Sequence, residues 1–300
     1  MSNHVVVNFH SDYRLGEQLA NRLNWPLLSM VIRKFPDDES YVRLLDDCEN
    51  KHVWIVATLD HPDDKIFPLI TAAKLLKDHR AESVNLVSPY LAYMRQDKAF
   101  NPGEAVSGVY FGELMSTFFD SIITIDPHLH RFSALADVYS IPGKVIYAAP
   151  VVSQWIACQI ENPVIIGPDM ESEQWVSKVA EKVGCDYLIL EKIRQGDFDV
   201  SVSDISNNYT SHTPVLVDDI ISSGHTMLEV IRQLNEKGFN PAIVVATHGI
   251  FAAGAFEKLV KAGVGQIVTA NSIQHMSNAI ELDELLSVEL KGFSDQLYKD

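Results

Sequence analysis

Short apolar runs alternate with longer amphipathic stretches along nearly the whole chain. Val5 to Phe9, Val53 to Ala57, Val84 to Val87, Ser121 to Ile125, Val164 to Ile166, Tyr187 to Leu190, Val215 to Val217, Ile243 to Ala246 and Gln266 to Val268 are mostly apolar runs of strand length. Helical spacing falls between them: Asp12 to Leu23, Phe67 to Lys77, Gly108 to Phe119, Tyr147 to Ile160, a stretch ending at Val183, Met227 to Lys237, a stretch ending at Lys261, and Leu282 to Leu290. A strand covered on both faces reads as a continuous apolar run, and its alternation with helices predicts parallel sheets. Leu27 to Ile32 reads as a further strand, and Tyr41 to Leu44 as an alternating one behind a turn at Pro36, Asp37 and Asp38. Ile125-Asp126-Pro127 echoes Val217-Asp218-Asp219, and Leu86-Val87-Ser88-Pro89 echoes Ile165-Ile166-Gly167-Pro168. Two similar α/β domains would produce this, each a doubly wound, mostly parallel sheet flanked by helices. The boundary is expected near Pro142 to Pro150, giving domains 1–146 and 147–300, with the last helix a candidate to pack back on the N-terminal domain.

Composition narrows the function. Three hundred residues suit two domains with a core each. Hydrophobic content of 47% with 21% charged residues describes a globular chain rather than a disordered one. Lys and Arg number 24 against 40 acids, a net charge of −16, which repels nucleic acid and anionic membrane. An anionic substrate must then be drawn in by local donors or by Mg²⁺. Cys48, Cys158 and Cys185 are scattered, with neither zinc spacing nor a disulfide framework, and point to a reduced cytoplasm. The start, MSNHVVVNFHSD, lacks the basic lead and long apolar core of a signal peptide. No apolar run approaches the ~20 residues of a membrane span.

The chemistry concentrates in Val215 to Leu228, VLVDDIISSGHTML. Apolar β-formers lead into Asp218 and Asp219, then a small-residue turn of Ser222, Ser223 and Gly224, then His225, Thr226 and a helical pattern. Backbone N–H groups of such a turn converge on an anion, and the helix start adds its positive dipole. Hydroxyls of Ser222, Ser223 and Thr226 can donate to the same anion. Paired carboxylates facing a phosphate would repel it, so they suit sugar hydroxyls or a metal ion. The bland alternative is a polar turn and a helix cap; the spacing favours a sugar-phosphate site.

Four other segments carry chemistry. Phe35 sits beside Asp37 and Glu39 at a turn. Arg95, Gln96 and Asp97 precede Lys98 beyond a strand end, where they can donate to phosphate and base edges. Asp126, His128 and His130 follow another strand end, the edge at which α/β sheets take ligands. Lys192 and Arg194 stand two apart on a polar segment containing Gly196, long enough to form a lid.

In order, these segments resemble ribose-phosphate pyrophosphokinases. Residues 215–228 closely resemble the phosphoribosyl-diphosphate (PRPP) motif that this family shares with type I phosphoribosyltransferases. Phe35-Pro36-Asp37-Asp38-Glu39 is similar to the family's FSDGE-type segment, with Asp38 in place of Gly. Pro89 to Asp97 matches PY-x-x-YxRQD, and the PGEAVS continuation looks like the archaeal-type branch. Asp126 to His128 resembles a DLH-type motif. Gly167-Pro168-Asp169 resembles SPD-x-GG, with Glu171 and Ser172 where glycines stand. Glu191 to Arg194 resembles a DKRR-type catalytic loop, and Asn271-Ser272 a TNSI segment.

The resemblance implies two phosphoribosyltransferase-like domains and transfer of the β,γ-diphosphate of ATP to the C1 hydroxyl of ribose 5-phosphate, giving PRPP and AMP. It implies ATP contacts from Phe35, Asp37, Glu39, Arg95, Gln96, Asp97 and His128, with the Phe35 segment often reaching across a subunit interface. A homo-oligomer, dimer or higher, follows from that. It implies Mg²⁺ held by His128 and Asp169, and catalytic roles for Lys192 and Arg194. Asp218 and Asp219 would take the ribose 2- and 3-hydroxyls, and Ser222, Ser223, Gly224, His225 and Thr226 the 5-phosphate. His225 stands where many members carry a small residue. Two alternatives share parts of this pattern. A phosphoribosyltransferase using PRPP and a nucleobase would leave Phe35 and Arg95 without a nucleotide, and a non-catalytic regulatory relative would not need Lys192 and Arg194.

Overall fold

In a computed structural model, residues 3–10, 13–129, 131–190, 192–194, 200–202 and 207–298 are described. The chain divides into two compact units, 1–146 with 283–300, and 147–282.

The first unit opens with β1 (His4–Asn8), α1 (Leu15–Leu23) and β2 (Leu27–Leu28), continues through a hairpin of β3 (Met30–Lys34) and β4 (Ser40–Leu44), then β5 (His52–Val56), α2 (Asp63–Asp78), β6 (Ser83–Ser88), α3 (Ser107–Phe118), β7 (Ser121–Ile125) and β8 (Gly143–Ile146). Its main sheet runs β2-β1-β5-β6-β7-β8, every pair parallel. Val53, Trp54, Ile55 and Val56 of β5 are fully buried, as a central strand covered on both faces requires. The β3–β4 ribbon is antiparallel and separate from this sheet.

The second unit contains α4 (Ala149–Gln159), β9 (Pro163–Gly167), α5 (Glu173–Val183), β10 (Tyr187–Ile189), a hairpin of β11 (Lys192–Arg194) and β12 (Val200–Val202), β13 (Thr213–Ile221), α6 (His225–Glu236), β14 (Ile243–Gly249), α7 (Ala255–Lys261), β15 (Gln266–Ala270) and β16 (Asn278–Ile280). Its sheet, β10-β9-β13-β14-β15-β16, is also wholly parallel. The final helix, α8 (Asp283–Leu297), belongs to the first unit, where Asp283 pairs with Arg22 of α1 and Glu289 with Lys144 at 2.6 Å.

The two sheets share one topology. Element for element, β9 matches β1, β10 matches β2, the β11–β12 hairpin matches β3–β4, and β13 matches β5. The sequence echoes therefore join strands that are not counterparts: Leu86-Val87 lies on β6 but Ile165-Ile166 on β9, and Ile125 ends β7 while Val217 lies on β13. A proline or an aspartate after a strand marks a carboxyl end in general, not a particular strand.

Other expectations change in detail. Leu27 to Ile32 is two strands rather than one, because Ser29 leaves the sheet: its N–H donates to Asp46 Oδ2 at 2.7 Å, and the chain turns into the ribbon. The paired acids Asp218 and Asp219 lie within β13, which continues to Ile221, rather than beyond its end. Helix α2 begins at Asp63, earlier than Phe67, behind Pro62 and with Asp63 and Asp64 in the first turn, where acids favour a helix start. The short strands β8 and β16 were not expected.

Candidate active site

In the second unit the apolar run of β13 is held between β9 and β14, so the residues after it emerge at the carboxyl edge of a central strand. Ile221 closes the strand, and its carbonyl accepts hydrogen bonds from the N–H groups of Ile250 and Phe251, both 3.0 Å, fixing the start of the turn. Gly224 then adopts φ +69°, a left-handed conformation in which an L side chain is strained. Helix α6 starts at His225 and is anchored by burial of Met227, Val230, Ile231 and Leu234. Its first turn has no acidic residue, and its N-cap makes no side-chain hydrogen bond. The first N–H groups of the helix and the hydroxyls of Ser222, Ser223 and Thr226 thus border one turn. His225 fits this path by facing solvent, with Nδ1 2.9 Å from Ser223 Oγ.

The acids behind the turn are electrostatically loaded. Asp218 Oδ1 accepts the Asp219 N–H at 2.9 Å. Burial raises the Asp218 carboxyl well above the ordinary carboxylate range, and the charges of Asp219 and then Asp169 push it the same way. Asp169 follows β9, the neighbour of β13, so the three acids share one sheet edge. At this loop a Cβ on Gly167 would lie 2.5 Å from Ser172 Oγ, which accounts for the glycine. Ser172, standing in a position resembling a family glycine, is accommodated through its hydroxyl, which donates to the Asp169 carbonyl at 2.6 Å. Among the described residues no three His, Cys, Asp or Glu side chains are grouped to hold a metal by themselves.

Lys192 and Arg194 lie on β11, opposite Val202 and Val200 of β12. Gly196, in the segment expected to form a lid, lies outside the described residues, as does His130.

In the first unit, Phe35 stands at the tip of the β3–β4 ribbon, 41% exposed. The turn closes with Phe35 N–H donating to the Glu39 carbonyl at 2.7 Å and Asp38 N–H to the Phe35 carbonyl at 3.0 Å. Asp38 has φ +67°, the conformation that suits the glycine the resembling motif carries there. The Phe35 ring meets Tyr41 edge-on at 5.7 Å, and the Arg33 guanidinium lies 4.7 Å and 4.2 Å from the two ring centres. Asp37 and Glu39 are exposed beside it.

Arg95, Gln96 and Asp97 follow β6, and His128 follows β7, its parallel neighbour. Arg95 is exposed, Gln96 and His128 are half-buried, and Asp97 is buried. Helix α3 fixes the segment: Gly108 N–H donates to the Gln96 carbonyl at 3.2 Å and Ser107 Oγ to Gln96 Oε1 at 3.1 Å. Tyr93, at φ +63°, donates its hydroxyl to Asp63 of α2, and burial followed by that carboxylate raises the phenol to about 12. Sequence reasoning misses Arg131, whose Nη1 reaches both oxygens of Asp97, 3.0 and 3.1 Å away. Its only signal is its place just after the Asp126–His128 motif. The structure thus gathers Asp169, Asp218, Asp219 and residues 222–226 in one unit and the 95–97 and 128 segments in the other, while Phe35 arrives on a separate ribbon.

The family model described as the N-terminal domain of ribose phosphate pyrophosphokinase matches residues 4–118, and that of the phosphoribosyl transferase domain matches 147–284. A ribose-phosphate pyrophosphokinase of Sulfurisphaera tokodaii is 32% identical over 276 residues, 90% of this chain and 93% of that protein. One from Pyrococcus abyssi is 31% identical over 264 residues, 86% of this chain and 88% of that protein. The crystal structure of phosphoribosylpyrophosphate synthetase from Mycobacterium smegmatis shares the fold, with a TM-score of 0.86 at 20% identity over 98% of this chain and all of that one. With both units matched in order and identity above 30% along most of its length, the chain belongs to the ribose-phosphate pyrophosphokinase family.

Proposed function

We propose that this chain transfers the β,γ-diphosphate of ATP to the C1 hydroxyl of ribose 5-phosphate, releasing PRPP and AMP. The observation that carries this reading is the β13–α6 turn. An anion-receptive helix start follows directly on two carboxylates, and a sugar phosphate presents both complements, a phosphate and a vicinal diol. The N–H groups behind Gly224, with Ser222, Ser223, His225 and Thr226, bind the 5-phosphate, and Asp218 and Asp219 accept hydrogen bonds from the 2- and 3-hydroxyls.

Phe35, Asp37 and Glu39 bind adenine, the ring by stacking and the acids by accepting from its amino group. A ring 41% exposed at the end of a ribbon suits service to a second subunit, so the working form is a homo-oligomer, dimer or higher. Arg95, Gln96, Asp97 and His128 make up the phosphate side of the nucleotide site. Lys192 and Arg194 neutralise charge that builds on the β-phosphoryl oxygens as the C1 oxygen attacks and AMP leaves. Such transfers ask for positioning and charge neutralisation more than covalent help from the protein.

Mg²⁺ fits the donor set. It commonly takes one or two carboxylates and completes its shell with water and substrate phosphates, so no three-residue cage is required. Asp169 offers a hard oxygen beside Asp218, whose raised carboxyl marks an edge short of positive charge. His128 would hold the nucleotide-metal species in the first unit. When bound, Mg²⁺ polarises the phosphoryl oxygens. The scattered cysteines, which match no disulfide framework, favour the cytoplasm as the place of action.

The test is conversion of ATP to AMP with Mg²⁺ present. It should depend on ribose 5-phosphate and proceed without any nucleobase. Consumption of PRPP with a nucleobase, and no AMP from ATP, would assign the chain to phosphoribosyl transfer instead.

A further inference from the structure

We propose that Arg131 is a positioning residue of the nucleotide site: it clamps the buried Asp97 carboxylate and so binds the Arg95–Asp97 loop to the loop of His128. The inference rests on the reading of these two loops as the ATP site.

Asp97 is the least accessible polar group of its loop, its side chain only 3% exposed, whereas that of Arg131 is 46% exposed. A carboxylate so placed persists as a charge only if a cation and hydrogen bonds hold it. Arg131 supplies both from 34 residues further along the chain, with one guanidinium nitrogen within 3.1 Å of each carboxylate oxygen. Several further ties of the 95–104 loop are local. Glu104 Oε2 accepts the N–H groups of Phe100 and Asn101 at 2.7 and 2.9 Å, and α3 takes the Gln96 carbonyl. The Asp97 pair joins loops that leave neighbouring parallel strands, β6 and β7. Arg131 also lies 5.8 Å from the Phe100 ring centre, and Lys98 lies 5.2 Å from the same ring.

The charge matters as much as the tether. An uncompensated carboxylate two residues from Arg95 would repel a triphosphate. Paired with Arg131, it leaves a nearly neutral dipole and lets the remaining cations set the local field. Asp97 therefore serves the nucleotide site through its pair with Arg131.

The experiment measures ATP and ribose 5-phosphate affinities by calorimetry, and melting temperature, for the full chain and for Arg131→Ala, Arg131→Lys, Asp97→Asn and the double variant Asp97→Asn/Arg131→Ala. Partners that orient binding groups typically contribute about 10- to 100-fold, so Arg131→Ala should weaken ATP by that factor while ribose 5-phosphate affinity stays unchanged. Arg131→Lys should recover part of the loss, since it keeps the charge but as a more strongly hydrated point charge on a more flexible stem. The double variant should be no worse than either single one. Additive losses would show that the two residues act on the nucleotide separately, and would overturn the clamp. So would unchanged ATP affinity in Arg131→Ala. Failure of the unsubstituted chain to bind ATP would instead sink the nucleotide-site reading itself.

Discussion

Asp218→Asn should raise stability while it damages the sugar site. The asparagine keeps an oxygen for the Asp219 N–H, now at 2.9 Å, and removes the charge that burial, Asp219 and Asp169 all oppose. The sign follows from proton linkage. A carboxyl whose value is raised above its ordinary 3.8 binds its proton more tightly in the folded chain than in the unfolded one. Stability is then lost as pH rises from the ordinary value through the raised one, and at pH above both the full penalty is present. Relief of unfavourable charge is commonly worth about 0.5–2 kcal/mol. For chains of this size that corresponds to a gain of roughly 1–8 °C in melting temperature. The advantage should shrink as pH falls through the raised native value, where the folded carboxyl takes up its proton, and vanish below the ordinary 3.8, where the unfolded one does too. Ribose 5-phosphate affinity should move the opposite way. A lost hydrogen bond involving a charged group costs about 1.5–3 kcal/mol, or roughly tenfold to hundredfold in Kd. Scanning calorimetry across pH, with titration of ribose 5-phosphate, reads both. A lower melting temperature at neutral pH, or an unchanged sugar affinity, would refute the reasoning.

Phe35→Ala should raise KM for ATP, with KM for ribose 5-phosphate unchanged, because base stacking is worth about 1–3 kcal/mol. Steady-state kinetics with each substrate varied checks this, and a lowered melting temperature with an unchanged ATP constant would show the ring to be structural. Lys192→Ala and Arg194→Ala should each cost turnover on the order of 10³-fold with both KM values nearly constant, as for cations that act only in the transition state; near-normal turnover would remove that residue from catalysis. Gly224→Ala should cost about 1–2 kcal/mol at its left-handed backbone and weaken ribose 5-phosphate more than ATP, measured by denaturant titration and by calorimetry.

What the amino-acid pattern reveals depends on how local the cause is. The central strands were legible because burial on both faces leaves an unbroken apolar run, as in Val53 to Val56 and Val215 to Val217. The split at Ser29 was not, because the residues on either side of it, Leu27-Leu28 and Met30 to Ile32, are apolar alike while the chain leaves one sheet for another. The edge strands β8 and β16 have four and three residues, too few for any period to show. The shared topology of the two units leaves no trace in the proline and aspartate echoes, which fall on strands that do not correspond. In the site, the β13–α6 turn was legible because one short segment holds the acids, the hydroxyls and the glycine. The Asp97–Arg131 pair was not, since only the pairing of β6 with β7 brings those residues together. The excess charge on Asp218 also needed the fold, which sets Asp169 on the adjoining strand end.

The most direct test of the account is phosphorus NMR of the chain incubated with ATP, ribose 5-phosphate and Mg²⁺. Transfer of an intact diphosphate predicts AMP and PRPP in equal amounts, with the two new coupled phosphorus signals of a C1 diphosphate and no ADP. ADP accompanied by a ribose bisphosphate would mean transfer of a single phosphoryl group and would contradict it, as would a spectrum in which ATP is unchanged.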